Sequence, residues 1–554
     1  MKFILSLFCF ALFASSVSYS QDTCTLNVNR ISFPLNNSGN LAWKSPDGYK
    51  GALYDTSEFL YSAGFAFSGL EGGTFFVNSV MPSSRIFDYL PGRVGDTLNP
   101  KNVLYSVSTS DSAFGSAWQK WKDAVQLGAD FYDGNHDGIY NPVDLNGNGQ
   151  WDSGEDKPLI LGDKTIWCVY NDGAKSTQRQ FTDMAPKGVE IRQTAFAFNN
   201  ANNCADNTIF IKYNITNTSN NDWDSCYFSK FADIDLISLH DFAGTCTNYK
   251  SIYAFNKTSG YPSCFVTNLQ SPIQYIPGIT FTDVNSNGIY DSGIDIPLDT
   301  AFDYRGVNGV QSFIGAENIN SYNTFYYTSG SAIIGDPAYS TDLRNYQMAK
   351  LKSGLSIDPC NFYNGVVNGG VQCNTVNPAY IFSGDPISDS GWLQKNPDEI
   401  YQLLNIGPFK LKAHESNNLI FAYVLGKAES WQMSLLTAQD NTRLIRNAFK
   451  NNFTNFFTNV NADQFVVSDY RLDQNYPNPF NPSTTINYQL PKDGHVSLKI
   501  YDILGNEVAS LVNEYKDHGN YSVNYNASRL SSGVYIYRIM TGDFISSKKM
   551  VLIK

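Results

Sequence analysis

Three short stretches carry oxygen side chains at the alternate spacing that a hard cation requires. In the first, Asp133, Asn135 and Asp137 occupy loop positions one, three and five, with Gly138 at six, Ile139 at seven and Asp144 at twelve. The second begins on the last residue of the first: Asp144, Asn146 and Asn148, then Gly149, Gln150 and, at twelve, Glu155. The third lies far downstream, with Asp283, Asn285, Asn287, Gly288 and Ile289 in the same order. Its twelfth residue is Ile294, so Asp295 has to supply the closing carboxylate. Ca²⁺ takes roughly six to eight oxygens, and a tight loop turns alternate side chains onto one centre. Glycine at six permits the bend, and the residue at seven offers its backbone carbonyl. Many donors are neutral Asn, which implies modest affinity, ~10⁻⁴ M, and a structural rather than a sensing role. An Asn- and Gly-rich turn with no metal is the competing reading.

Prolines decide what frames these loops. Pro142, Pro158 and Pro297 stand where the exiting helix of an EF-hand would run, and each removes a backbone donor. The loops therefore resemble dockerin-like or thrombospondin-type calcium loops more than EF-hands. Asp156 and Asp295 both precede a Pro-Leu pair by two residues, so the two places read as a repeated unit. Upstream, Trp118, Trp121 and Val125 fall on one face of a helix expected over 117–127, as core residues before a sugar platform. Downstream, 189–198 and the alternating Ile209, Ile211, Tyr213 and Ile215 predict a hairpin central to a sandwich. A further strand is expected over 419–425 and a helix over 434–449.

Other chemistry is sparse. Asp233, Asp235 and Asp241, with His240, fit another calcium site, an acid/base pair or solvated loop acids equally well. No His-Glu-x-x-His, Gly-x-Ser-x-Gly or phosphate-binding glycine loop occurs. The chain has 554 residues, too many for one core, and 14% aromatic against 16% charged residues, a balance that favours strands. A net charge of −12 argues against nucleic acid, which needs a basic face. Residues 1–20 carry one Lys, a short apolar run and small residues, which is a secretory signal peptide. No later run is long enough to cross a membrane as a helix. Eight cysteines follow the signal, and export permits disulfides, with Cys360–Cys373 and Cys246–Cys264 the first pairs expected from proximity.

The C-terminal stretch opens with Asn475-Tyr476-Pro477-Asn478-Pro479-Phe480-Asn481-Pro482, then alternates at Ile486, Tyr488, Leu490 and at Val496, Leu498, Ile500. Further short strands are expected to 552, separated by Gly505, Gly519, Gly533 and Gly542. With Ile500–Val508, Ser532–Tyr537 and Ser547–Lys554, these motifs resemble the type A C-terminal sorting domain of the type IX secretion system of Bacteroidetes-type bacteria. The resemblance implies export across the outer membrane, with the secretion machinery and a sortase-like peptidase as partners of 473–554. The body, over about 100–455, resembles large secreted proteins that carry the same tail and have no assigned activity.

The expectation is a mainly β protein with few helices: a β-sandwich passenger with calcium-binding loops, and a small Ig-like sorting sandwich. The expected divisions are a signal peptide at 1–20, a β-rich region with the paired loops at 21–185, and a sandwich-like region with the third loop at 186–458. A linker at 459–472 and the sorting domain at 473–554 complete the chain. The expected protein is secreted or held at the outer-membrane surface of a Gram-negative bacterium. Its passenger reads as a non-enzymatic adhesive or structural protein with Ca²⁺ as structural ion and a carbohydrate or surface ligand. A secreted polysaccharide-degrading enzyme or carbohydrate-binding module is the alternative.

Overall fold

The hairpin expected from 189–198 and the alternating 209–215 forms the centre of the larger sheet. Val189–Ala197 lies antiparallel to Thr208–Asn217, with Ile191 opposite Ile215 and Ala195 opposite Ile211. In this computed structural model the described residues are 22–42, 51–81, 88–96, 98–199, 204–236, 241–305, 309–453, 470–472, 474–475, 477–490, 494–516, 519–542 and 544–553. The signal peptide expected over 1–20, His240 and most of the linker expected over 459–472 lie outside them. The chain divides into two units, one ending at 457 and one beginning at 458.

In the first unit the hairpin is extended on one side by Ser416–Gly426, Ser263–Gln270, Ser251–Phe255 and Phe242–Cys246. On the other side it is extended by Lys164–Asn171, against which Leu90–Pro91 and Tyr105–Ser108 both pair. A second sheet runs in the order Tyr322–Tyr327, Tyr401–Leu411, Trp223–Asp233, Ser62–Glu71, Thr74–Val80. Every named pairing here is antiparallel. The two sheets face each other through aromatic rings: between centroids, Phe228 lies 5.0 Å from Tyr213 and 5.8 Å from Phe421, and Phe65 lies 5.4 Å from Tyr213. Rings bury large areas and meet at defined angles, so they fix the spacing of the layers as well as filling it.

Pairing ignores the division expected at 185. Ser62–Glu71 pairs with Trp223–Asp233, and Lys164–Asn171 with Val189–Ala197, so the residues on both sides share one sandwich.

Three helices, α1 (Ser116–Gln126), α2 (Ser340–Gln347) and α3 (Trp431–Lys450), cover the outer faces among the described residues. In α1, Trp118 and Trp121 are 5% and 2% exposed, so they face inward. Trp121 clusters with Tyr105, Val107, Trp167 and Val169 of the larger sheet. In α3 the inward residues Leu435, Ala438, Thr442, Ile445 and Phe449 recur at helical spacing. Leu435, Ala438 and Ile445 join the cluster of Phe196, Phe210, Phe265 and Val424. The Ser430 hydroxyl caps the first turn by accepting from the Met433 amide at 3.3 Å. The short α2 lies on the smaller sheet, where Tyr346 stacks on Phe325 at 4.1 Å.

Of the two disulfides expected first, Cys360–Cys373 is present, with Cα atoms 5.0 Å apart. Cys246–Cys264 is not formed. Cys246 opposes Ser251 and Cys264 opposes Ala254, on either side of the strand Ser251–Phe255. Two strand spacings, ~9–10 Å, exceed the ~7 Å that a disulfide spans between Cα atoms.

A lysine sits inside the sandwich. Lys230, between Phe228 and Ala232 on the inward face of its strand, has no exposed surface. Its amine donates to the Gly64 carbonyl at 3.0 Å and to the Tyr213 hydroxyl at 2.7 Å. The Tyr213 and Tyr423 rings lie 5.1 and 5.4 Å away. Burial pushes the amine well below the ordinary lysine range.

The second unit is a smaller two-sheet sandwich. Ser483–Leu490 pairs with Arg471–Leu472 and Gly519–Asn526, while the other sheet runs Glu507–Lys516, Gly494–Tyr501, Gly533–Thr541, Phe544–Leu552. Ile486, Tyr488, Leu490, Val496, Leu498 and Ile500 are all buried in its core, as their alternation requires.

Lys230 gives a signed prediction. The unfolded chain keeps this lysine protonated to about pH 10.4, whereas the folded core favours the neutral amine. Between the two pKa values the unfolded state binds the extra proton, so this residue makes stability rise with pH. Thermal melts of wild type and Lys230→Met from about pH 7 to about pH 10 should show the wild type gaining on the variant. A difference that stays flat would mean that the amine titrates normally.

Candidate calcium loops and the C-terminal domain

The three Asp/Asn stretches share one backbone geometry. The residue at position one accepts the amides of positions five and six on its two carboxylate oxygens. Asp133 takes Asp137 and Gly138 at 3.2 and 2.8 Å; Asp144 takes Asn148 and Gly149 at 3.2 and 2.7 Å; Asp283 takes Asn287 and Gly288 at 3.2 and 2.7 Å. Glycine is required at six, because Gly138, Gly149 and Gly288 hold φ of 75°, 73° and 76°.

A second carboxylate closes each loop by accepting the amides of positions two and nine. Glu155 takes Leu145 and Asp152 at 2.6 and 3.0 Å, and Asp295 takes Val284 and Asp291 at 2.9 and 2.7 Å. In the first loop the closing residue is Asp156, which takes Gly134 and Asn141 at 3.0 and 2.7 Å. The expected Asp144 does not do this; its oxygens serve the second loop. The first loop is thus closed across the whole of the second, which nests inside it. Phe131–Tyr132 pairs with Lys157–Pro158 around the nested pair, as Phe281–Thr282 pairs with Ile296–Pro297 around the third loop. The repeated Asp-x-Pro-Leu, at 156–159 and 295–298, was the sequence signal for Asp156.

Position nine supplies acids that the spacing rule passed over. Asp152 accepts the side-chain amides of Asn146 and Asn148 at 2.8 and 2.9 Å, and Asp291 those of Asn285 and Asn287 at 2.7 Å each. Those two amides hold the exposed Asp291 carboxyl below the usual range. Asn135 bonds instead to Asp137, at 2.9 Å. Ile139, Gln150 and Ile289 each stand at position seven with the amide tied to the side chain at five, at 2.7 to 2.8 Å. Among the described residues no three His, Cys, Asp or Glu side chains converge as a metal site, and the loops are Asn-rich accordingly.

The Asp233 region is held differently. Asp233 is buried at the end of its strand, and burial, with the Asp235 and Glu399 carboxylates near it, pushes its carboxyl well above the usual range. Asp241 is a staple: it accepts the Leu236 amide and the Asn256 side-chain amide, both at 2.7 Å. Neither lines a cavity of about 240 Å³ whose lining includes Phe242, Tyr253, Phe255 and Leu393 together with the exposed Lys257 and Lys395.

In the C-terminal unit the Asn/Pro run is tied to the last strands. Asn475 is 1% exposed; its amide donates to the Tyr537 hydroxyl at 2.7 Å and its side chain to the Thr484 hydroxyl at 2.9 Å. The Asn478 side chain accepts the Val551 amide at 2.8 Å, and Phe480 exchanges backbone bonds with Val551 and Ile553. The prolines free this segment from a ladder of its own; Asn478 bonds it to the strand Phe544–Leu552, and Asn475 bonds it to Tyr537 and Thr484 of two other strands.

This geometry coincides with a family match at residues 474–554 to the secretion system C-terminal sorting domain. Residues 474–554 are a sorting domain of that family. The protein that carries it is secreted or held at the cell surface. A solved structure titled as a polysaccharide lyase is similar at 8% identity with a TM-score of 0.18, over 66% of this chain and 34% of that one. The chain thus spans about a third of that protein's length, and so low a score carries no argument. No curated protein matches the chain.

The nesting is testable without metal. Asp156→Ala leaves two loop amides without their acceptor, a loss of about 1–3 kcal/mol. Hydrogen exchange should show protection lost at Gly134 and Asn141 in this variant and kept in Asp144→Ala; the opposite pattern would restore Asp144 as the closing residue.

Proposed function

We propose that the sorting domain exports a calcium-stabilised, non-enzymatic β protein that serves adhesion or structure at the cell surface, through the type IX route and with a sortase-like peptidase acting on the tail. The match at 474–554 carries the export half of this reading. The passenger half rests on three loops built to one plan, each bracing a long excursion between sheet strands. Their side-chain donors are all carboxylates and amides, the hard oxygens that suit Ca²⁺. Asp133, Asn135, Asp137 and Asp156 would hold the ion in the first loop, and Asp144, Asn146, Asn148, Asp152 and Glu155 in the second. Asp283, Asn285, Asn287, Asp291 and Asp295 would hold it in the third. The ion supplies charge that the clustered carboxylates otherwise lack, which stiffens the loops.

A second reading, a polysaccharide-degrading enzyme or carbohydrate-binding module, draws on the aromatic wall and the two lysines of the 240 Å³ cavity. Saturable binding of saccharides with turnover, lost on mutating the cavity wall, would favour it over the first.

Two measurements test the main reading. With Kd near ~10⁻⁴ M, ~1 mM Ca²⁺ stabilises each intact loop by about 1.4 kcal/mol, so the melting temperature should rise with calcium and fall with EDTA. An unchanged melt would remove calcium from the proposal. Deleting 474–554 should leave the passenger inside the cell envelope on fractionation; normal export of the truncated chain would remove the sorting role.

A further inference from the structure

Across the outer face of the larger sheet, between the areas covered by α1 and α3, the outward residues turn from apolar to polar. Strand register aligns them in rows. Trp167, Thr194 and Lys212 lie side by side in one row, and Arg192, Asn214 and Asn418 in the next. They line a cavity of about 80 Å³, whose rim is the turn after α1 with Gly128 and Asp130.

Two cations in this cavity are incompletely paired. Lys212 is only 8% exposed, yet its ion pair is with Asp130 at 3.7 Å, and the Asp130 side chain is 58% exposed. Arg192 spends one terminal nitrogen on Glu190 at 3.3 Å, a carboxylate that Arg93 shares at the same distance. The buried Nε of Arg192 has no hydrogen-bond partner. The guanidinium lies against Gly128, where a Cβ would approach its Cζ to 2.7 Å, so glycine is what admits it. Asn214 and Asn418 use their amide nitrogens on each other's chain of bonds, ending on Asp303. A lysine taken out of water and an unmatched guanidinium N–H both call for an acceptor, and a negative one satisfies them together.

We propose that this cavity is an oxyanion site that takes one carboxylate or sulfate group, held between Arg192 and Lys212. Its size suits a single such group and excludes a whole sugar ring. It is independent of the calcium loops and of the export reading.

Equilibrium dialysis of the full chain with radiolabelled sulfate, at constant ionic strength, tests it. One saturable site is expected. Lys212→Met should weaken it by about tenfold or more. Asp130→Asn, at an exposed carboxylate, removes the competing acceptor and should tighten it several-fold, which keeps the test valid if the lysine variant folds poorly. Displacement by acetate and by galacturonate supports the site; equal displacement marks a free oxyanion, and stronger displacement by galacturonate marks a sugar acid. No saturable sulfate in the wild type, or binding unchanged in both variants, overturns the proposal.

Discussion

The larger sandwich depends on keeping water away from one amine. Lys230 extends from the smaller sheet, bonds the Gly64 carbonyl of the neighbouring strand, and crosses to the Tyr213 hydroxyl of the larger sheet. That bridge works only at the separation set by the rings around it, Phe65, Phe228 and Phe421 among them. Gly64 is part of the same constraint, because a Cβ there would lie 1.8 Å from the Val80 carbonyl. The adjoining strand can therefore sit close enough to keep the site dry. Apolar area holds the sheets together, and the lysine makes one spacing and one register better than its neighbours.

The nested loops act at the periphery. Long connections would otherwise spend conformational entropy without burying much surface. A carboxylate that collects two amides from positions two and nine closes the ring chemically, and the adjoining two-residue ribbon locks its ends. Glu at twelve and Asp at thirteen reach the same two amides, the longer side chain compensating for the shorter backbone.

The sorting domain has its own core and its own stitching. Asn478 binds the proline run to the terminal strand and Asn475 binds it to Tyr537 and Thr484, so recognition of this unit by a secretion machine would meet a closed sandwich rather than a loose tail. The buried residues of its core come from 472–552 alone.

The sequence alone determined what local spacing controls. Period-two alternation named the faces of Thr208–Asn217 and Ser483–Leu490, helical spacing named the buried side of α1, and Asp/Asn/Gly spacing named the three loops. The Asn/Pro run named the sorting domain. The tertiary structure decided which strands are neighbours, because alternation says which way a side chain points and not what it meets. Hence Ser62–Glu71 joins Trp223–Asp233 across the expected division, and Asp156 rather than Asp144 closes the first loop. Hence also Lys230, which by residue type belongs outside, lies within, and Lys212 and Arg192 come to share a cavity. These partners are far apart along the chain or in different strands, and only the packing of whole sheets brings them within hydrogen-bonding distance.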